Sequence, residues 1–246
     1  MLRYVLGNWK SNGSRDFVAG FVPQLLNIEA GDVQVGCAPP SIYLEAVRAQ
    51  IDGTSLWSGA QTCSSTGSGA FTGEVTASML AEMCDFVLVG HSERRLRFGE
   101  TDAVVRGKLD RVLEAGLTAV LCVGEVLEER EAGLAESIVR RQLDSALRDR
   151  DALMPDTVLI AYEPVWAIGT GVAATAGDAA TMCTFIHAWA EEHLGADFAV
   201  LYGGSVNAGN AAELIAGDGV DGFLVGGASL KADDFNAIVQ AARTDR

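Results

Sequence analysis

Ala161-Tyr162-Glu163-Pro164-Val165-Trp166-Ala167-Ile168-Gly169-Thr170-Gly171 is the stretch from which the rest of the chain can be read. β-Forming residues from Thr157 to Tyr162 lead into a lone carboxylate, Glu163, and Pro164 follows at once. Proline has no N–H for a ladder and fixes its own φ, so the strand stops there. Glu163 then stands on the last rung, at the strand's carboxyl end. Val165, Trp166, Ala167 and Ile168 come next, and two glycines close the run. A solvated loop rarely exposes a Trp and an Ile so close together. The segment reads as a lid with apolar side chains that dock; the alternative is a buried connection that stays packed down.

The strand that ends at Glu163 is one of eight. Short β-rich runs occur at Tyr4–Trp9, Val33–Cys37, Leu56–Ala60, Phe86–Gly90, Thr118–Val123, Val158–Glu163, Ala199–Tyr202 and Gly222–Val225. Helix-type stripes lie between them: Val105, Leu109, Val112 and Leu113; Ile138, Val139, Leu143, Ala146 and Leu147; Met182, Ile186, Trp189, Ala190 and His193. Ser41 after Pro40, and Thr175 with Asp178 three residues on, give helix starts. The strands are continuously apolar, as in a parallel sheet covered on its outer side. A βα unit about every thirty residues, repeated eight times, predicts an α/β fold of the (β/α)8 barrel type. An open doubly wound sheet usually has fewer strands and a glycine fingerprint after the first. The one literal match to that fingerprint, Gly217-Asp218-Gly219-Val220-Asp221-Gly222, precedes a strand and opens no helix, so it reads as a turn.

Composition sets the limits. The chain has 246 residues with no linker or charge block dividing it, and we expect a single domain over residues 1–246. Hydrophobic residues make up 49% and mean hydropathy is +0.20, yet the longest apolar runs are strand-sized, so no membrane span is expected. The start, Met1-Leu2-Arg3-Tyr4, enters a strand directly, and no signal segment is expected. An odd count of five cysteines without a C-x-x-C pair argues against a disulfide framework and a thiolate metal site. A reducing cytoplasm is the economical reading. Net charge is −15 with no basic stripe, which excludes nucleic acid as a partner and demands a local device for any anion.

Polar residues gather at the strand ends. Asn8 and Lys10 follow the first strand; His91, Ser92, Glu93 and Arg94 the fourth; Glu163 ends the sixth; Gly203-Gly204-Ser205 follows the seventh and Gly226-Gly227 the eighth. In a barrel these positions converge on one face. Taken singly, Lys10 could be a solvated lysine and the glycines mere turns. His187 and His193 fit helix faces. His91 differs: it opens a polar cluster beside the N–H groups that begin the next element, whose dipoles disfavour imidazolium. Glu93, Arg94 and Arg95 read as a supporting salt-bridge set. Two glycine turns after the last two strands suit a phosphate cradle of backbone N–H groups, which needs no net positive charge.

These stretches resemble the triosephosphate isomerase family from end to end. They are Gly7-Asn8-Trp9-Lys10, Gly90-His91-Ser92-Glu93-Arg94-Arg95, Cys122-Val123-Gly124-Glu125, Tyr162–Gly171, Tyr202-Gly203-Gly204-Ser205 and Asp221–Leu230. The resemblance implies interconversion of dihydroxyacetone phosphate and D-glyceraldehyde 3-phosphate, with no cofactor and no metal. It implies Glu163 as the base moving a proton between C1 and C2, neutral His91 as the electrophile, and Lys10 beside Asn8 as the stabiliser of the enediolate. Backbone groups of Gly169, Ser205, Gly226 and Gly227 would hold the phosphate, and Pro164–Gly171 would be the lid. The loop Gln61–Glu74, with Thr72 near its tip, resembles one that reaches into a partner subunit, which implies a homodimer. Three residues depart from the family's habit: Ser11 where methionine is frequent, Thr62 where asparagine usually follows the glutamine, and Val172 where lysine is common. Thr62 bears on the dimer contact and Val172 on the lid hinge.

The chemistry asks for the same residue types. A proton α to a carbonyl is weakly acidic, so its base must be close and desolvated. Enediolate charge must be met by donors already in place. A Schiff-base aldolase built on Lys10 would want an apolar pocket, against which Asn8 and Glu93 argue. A catalytically silent binding protein has no use for Glu163, His91 and Lys10 together, and a dinucleotide oxidoreductase lacks its fingerprint.

Overall fold

In a computed structural model, residues 2–150, 153–168 and 174–244 are described. Eight strands close into a parallel barrel in chain order. They are β1 (Arg3–Asn8), β2 (Val33–Ala38), β3 (Trp57–Ala60), β4 (Phe86–Val89), β5 (Thr118–Val123), β6 (Val158–Tyr162), β7 (Val200–Tyr202) and β8 (Gly222–Val225). Helices follow the strands: α1 (Arg15–Leu26), α2 (Leu44–Ile51), α3 (Ala77–Leu80), α4 (Ser92–Phe98), α5 (Asp102–Glu114), α6 (Leu127–Glu131), α7 (Ala135–Leu147), α8 (Ala176–Leu194), α9 (Ala211–Ile215) and α10 (Ala232–Ala242).

The strands are mostly apolar because both faces are buried. Leu6, Phe86, Leu88, Val120, Leu159, Leu201 and Leu224 fill the barrel interior. Their neighbours Val5, Val87, Val89, Leu121, Ile160 and Phe223 point outward beneath the helices. Period-2 alternation thus sorts apolar residues between two cores instead of between core and water. Phe86 is accommodated by a missing side chain: a Cβ at Gly59 would lie 2.2 Å from its ring.

Helix signals match in place more than in detail. Thr175 and Asp178 form a full capping box at the start of α8. Ser41 does not cap; it opens a 3-10 turn, Ser41–Tyr43, that has no side-chain cap bond and runs into α2. Leu113, Ile138 and His193 are only half-buried at the margins of their stripes. Gly217–Gly222 is a turn before β8, with Gly219 in the left-handed region at φ +76°. Its Asp221 accepts the Val200 N–H at 2.9 Å and pairs with His187 at 3.0 Å, fastening α8 to the amino end of the barrel. All five cysteines are buried free thiols. Among the described residues no helix is long and apolar enough to cross a membrane.

The register brings the strand ends level. Val123 pairs with Tyr162, Tyr162 with Tyr202, and Gly7 with Val225. Four expected carboxyl ends move by one residue, at Cys37, Gly90, Trp9 and Glu163, and the last two bear on the site. Trp9 lies just past β1, fully buried and edge-on to Phe17 at 5.2 Å. Glu163 lies just past β6, but its N–H still donates to Val123 O at 2.7 Å. Pro164 then ends the ladder, for the reason the sequence gives.

Candidate active site

Glu163 is 2% exposed at the bottom of the strand-end cluster. Its place depends on Gly124: a Cβ there would sit 1.8 Å from the Glu163 carbonyl oxygen. The carboxylate is seated on the start of α4. It accepts the Ser92 N–H at 2.9 Å, the Ser92 hydroxyl at 3.4 Å and His91 Nε2 at 2.9 Å. Burial opposes its charge, but His91, the Ser92 N–H and Lys10 outweigh burial, so its pKa is held below the usual glutamate range.

His91 caps α4, and its Nδ1 accepts the Glu93 N–H at 3.2 Å. That bond places the ring proton on Nε2, which donates to Glu163. Burial opposes imidazolium, yet the adjacent Glu163 carboxylate more than offsets it, so the pKa lies above the ordinary histidine value. The sequence reading weighed only the backbone dipoles, and the Glu163 carboxylate pulls in the opposite direction. The dipole argument holds locally, since a protonated Nδ1 would face the Glu93 N–H donor to donor. Once the carboxylate leaves, burial, Lys10 and the Glu93 N–H all oppose imidazolium.

Lys10 has a left-handed backbone, φ 51°, unusual for a residue with a long side chain. Neighbours hold it there: its N–H donates to Asn8 Oδ1 at 2.9 Å, and Gln61 Nε2 donates to its carbonyl at 2.8 Å. The ammonium lies 2.7 Å from Glu93 Oε1. It also reaches across to the end of β8, where a Cβ at Gly226 would lie 4.0 Å from Nζ. Glu93, Arg94 and Arg95 do not pair with one another. Arg94 binds Glu100, and Arg95 binds Asp102 at 2.6 Å.

Asn8, Lys10, His91, Glu163, Ile168, Gly204 and Gly226 line one cavity of about 30 Å³. That is room for about one or two waters. Admitting a larger ligand requires Glu163 or the segment after it to move. Ser205 and Gly227 stand beside this cavity and do not line it. Among the described residues the N–H groups of Gly204, Ser205, Gly226 and Gly227 have no protein acceptor. Gly169 and Val172 lie outside the described residues.

The described part of the segment after Pro164 is packed down. Val165–Ala167 forms a 3-10 turn, and Ser205 Oγ donates to the Ala167 carbonyl at 2.6 Å. Trp166 Nε1 donates to Glu125 Oε1 at 2.9 Å, and the Arg130 guanidinium stacks on the Trp166 ring at 4.4 Å. Glu125 is fully buried and also accepts the Tyr162 hydroxyl at 3.1 Å. The sequence reading singled out neither Ser92, which seats the carboxylate, nor Glu125, which anchors the lid tryptophan. Glu125 had a signal: an acid separated from the end of a buried strand by Gly124 alone.

The comparisons with known proteins agree with this geometry. The model of the triosephosphate isomerase family matches residues 3–242. A protein of that name from Marinobacter nauticus is 49% identical over 245 residues, covering 97% of each chain. Its namesakes from Klebsiella pneumoniae and Escherichia coli are 46% and 45% identical, each covering 97% of this chain and 96% of the relative. A barrel whose strand ends carry this carboxylate, imidazole and ammonium, alike over nearly its whole length to such relatives, belongs to the triosephosphate isomerase family and interconverts dihydroxyacetone phosphate and D-glyceraldehyde 3-phosphate.

Proposed function

We propose that Glu163 carries the proton in this isomerisation. It leaves its seat on Ser92, takes a proton from C1 of dihydroxyacetone phosphate and returns one to C2. His91 Nε2–H donates to the substrate oxygens in turn, and Lys10, held by Asn8, faces the enediolate charge. Backbone groups of Ser205, Gly226, Gly227 and Gly169 hold the phosphate. The observation that carries this reading is the 2.9 Å contact between Glu163 and His91 on a cavity that Lys10 also lines. While seated, Glu163 is a weak base. Departure removes the bonds that lower its pKa and leaves burial, which raises it.

Glu163→Asp tests the assignment. The charge stays, but the carboxylate is withdrawn by one methylene, and misplacement on that scale costs on the order of a hundredfold in kcat. KM changes far less. A coupled isomerase assay giving activity within about twofold of wild type removes Glu163 from the base role.

The working form we propose is a cytoplasmic homodimer of single-domain subunits. The buried free thiols support the reducing compartment. Supporting the dimer, Phe71 stands 49% exposed in the Gln61–Glu74 loop. A cavity of about 640 Å³ beside the active site is lined by Lys10, Gln61, Glu93 and Phe98, and is large enough for a partner's loop tip. Thr62, the departure from the family's habit, accepts Lys108 Nζ at 2.8 Å in its wall. A charge introduced at the tip by Thr72→Asp yields monomers of poor activity, because the partner loop would steady Lys10 and Glu93. A fully active monomer by light scattering contradicts the proposal.

A further inference from the structure

A second cavity, of about 320 Å³, lies behind the seat of Glu163. That volume falls in the range of small-molecule sites. Glu163 is the one residue its lining shares with the substrate cavity, and Ser92 forms part of the same wall. The apolar side is Leu96, Val126 and Val165; the polar side centres on Arg95, Asp102 and Arg141.

The charges here are unequally committed. Arg95 is fully engaged: Nε on the Gly90 carbonyl at 2.8 Å, Nη1 on Asp102 at 2.6 Å, and Nη2 toward the Cys122 carbonyl at 3.5 Å. Arg141 gives Nε to the other oxygen of Asp102 at 3.2 Å. Its two terminal nitrogens have no partner among the described residues. Each acid of the lining already has a partner. Asp102 bridges the two arginines, Glu100 binds Lys108 at 2.5 Å, Glu129 accepts the Val126 N–H at 3.0 Å, and Glu163 sits on Ser92 and His91. What remains is one guanidinium edge beside an apolar wall. A carboxylate fits that edge. Four carboxylates in the lining repel a dianion, so a phosphate ester is the wrong ligand.

We propose that this cavity is an inhibitory site for a small monocarboxylate with an apolar body. The carboxylate lies on Arg141 and the body against Leu96, Val126 and Val165. Filled, the cavity supports Ser92 and Val165 from behind and favours the seated position of Glu163. The inference rests on the reading that Glu163 must leave that seat to act. A ligand that binds the seated state better shifts the population toward it. Substrate enters only when Glu163 or its segment moves, so a ligand that favours the seat opposes substrate binding and raises KM.

Benzoate is the probe and benzamide its neutral control. Benzoate binding is followed by ligand-observed NMR, and inhibition by steady-state kinetics. Benzoate is expected to raise KM in a way that Arg141→Gln relieves, and benzamide to leave the kinetics unchanged. Arg141→Gln, at a surface residue remote from the chemistry, is expected to keep basal turnover and to weaken benzoate about tenfold. Arg141→Lys, which keeps a charge without the fork, is expected to fall between. Absence of binding at millimolar benzoate overturns the site and leaves the role of Glu163 standing. Purely competitive inhibition, indifferent to Arg141→Gln, overturns it too and places benzoate in the phosphate cradle. Binding that depends on Arg141 but leaves both KM and kcat unchanged overturns the inhibitory role; it also counts against departure from Ser92 as a step in turnover, which separates it from the other failures.

Discussion

Lys10→Met is expected to damage binding and turnover together, raising KM and lowering kcat by on the order of a hundredfold or more in the latter. The protein carries a net charge of −15 and acts on a phosphorylated substrate. Lys10 supplies positive charge inside the substrate cavity, held there by Asn8 and Gln61 in a left-handed backbone. Methionine keeps much of the length and apolar stem but removes the ammonium, so loss of shape does not account for the defect. In the role proposed for it the ammonium faces the anionic ground state and the enediolate alike, so its loss should be felt in both constants. Glu93, which now binds Nζ at 2.7 Å, is left as an uncompensated carboxylate beside the substrate, which deepens the loss. Steady-state kinetics separate the possibilities. Normal kcat with only a raised KM means that Lys10 merely attracts substrate.

Removing Ile168 to Gly171 is expected to reduce turnover by roughly a thousandfold while sparing the fold and largely sparing assembly. Ile168 lines the substrate cavity, whereas Val165–Ala167 is anchored separately by Glu125, Ser205 and Arg130. The deletion therefore takes the cover and leaves the anchor. An enediolate phosphate open to water expels its phosphate, giving methylglyoxal and inorganic phosphate. Binding energy from the substrate's phosphate, remote from the reacting carbons, would no longer hold a cover in place. The measurement is inorganic phosphate released per isomerisation. A ratio unchanged from wild type, with isomerisation still fast, means that the segment is an ordinary connection.

The barrel was legible because each strand is buried on both faces, so eight apolar runs stood out without any need to read their alternation. Pro164 located Glu163 to within one rung. Thr175 and Asp178 announced α8 because a capping box is a local device, whereas Ser41 misled because its role depended on the 3-10 turn it opens. The seat of Glu163 was not legible, since it joins residues seventy-one apart in sequence, at Ser92. The pull of Glu163 on His91 was not legible for the same reason: the sequence shows the neighbouring N–H groups but not the carboxylate that folds against Nε2. Glu125 was quoted in the sequence without a role, and only the fold shows that Tyr162 and Trp166 close over it. The left-handed Lys10 follows from bonds to Asn8 and Gln61 that no local rule for lysine contains.

The most direct test of the central claim, that Glu163 is a weak base in its seat and a strong one off it, is its pKa with and without ligand. Infrared difference spectroscopy of the protonated carboxyl band, with Glu163→Gln to assign it, follows the titration in the free protein and with saturating glycerol 3-phosphate, an unreactive analogue. In the free protein the pKa should lie below the usual glutamate range, because His91, the Ser92 N–H and Lys10 hold the charge. With the analogue bound and the lid closed it should rise above that range, because the seat is lost and burial remains. A pKa that is unchanged or lower in the complex would contradict the account.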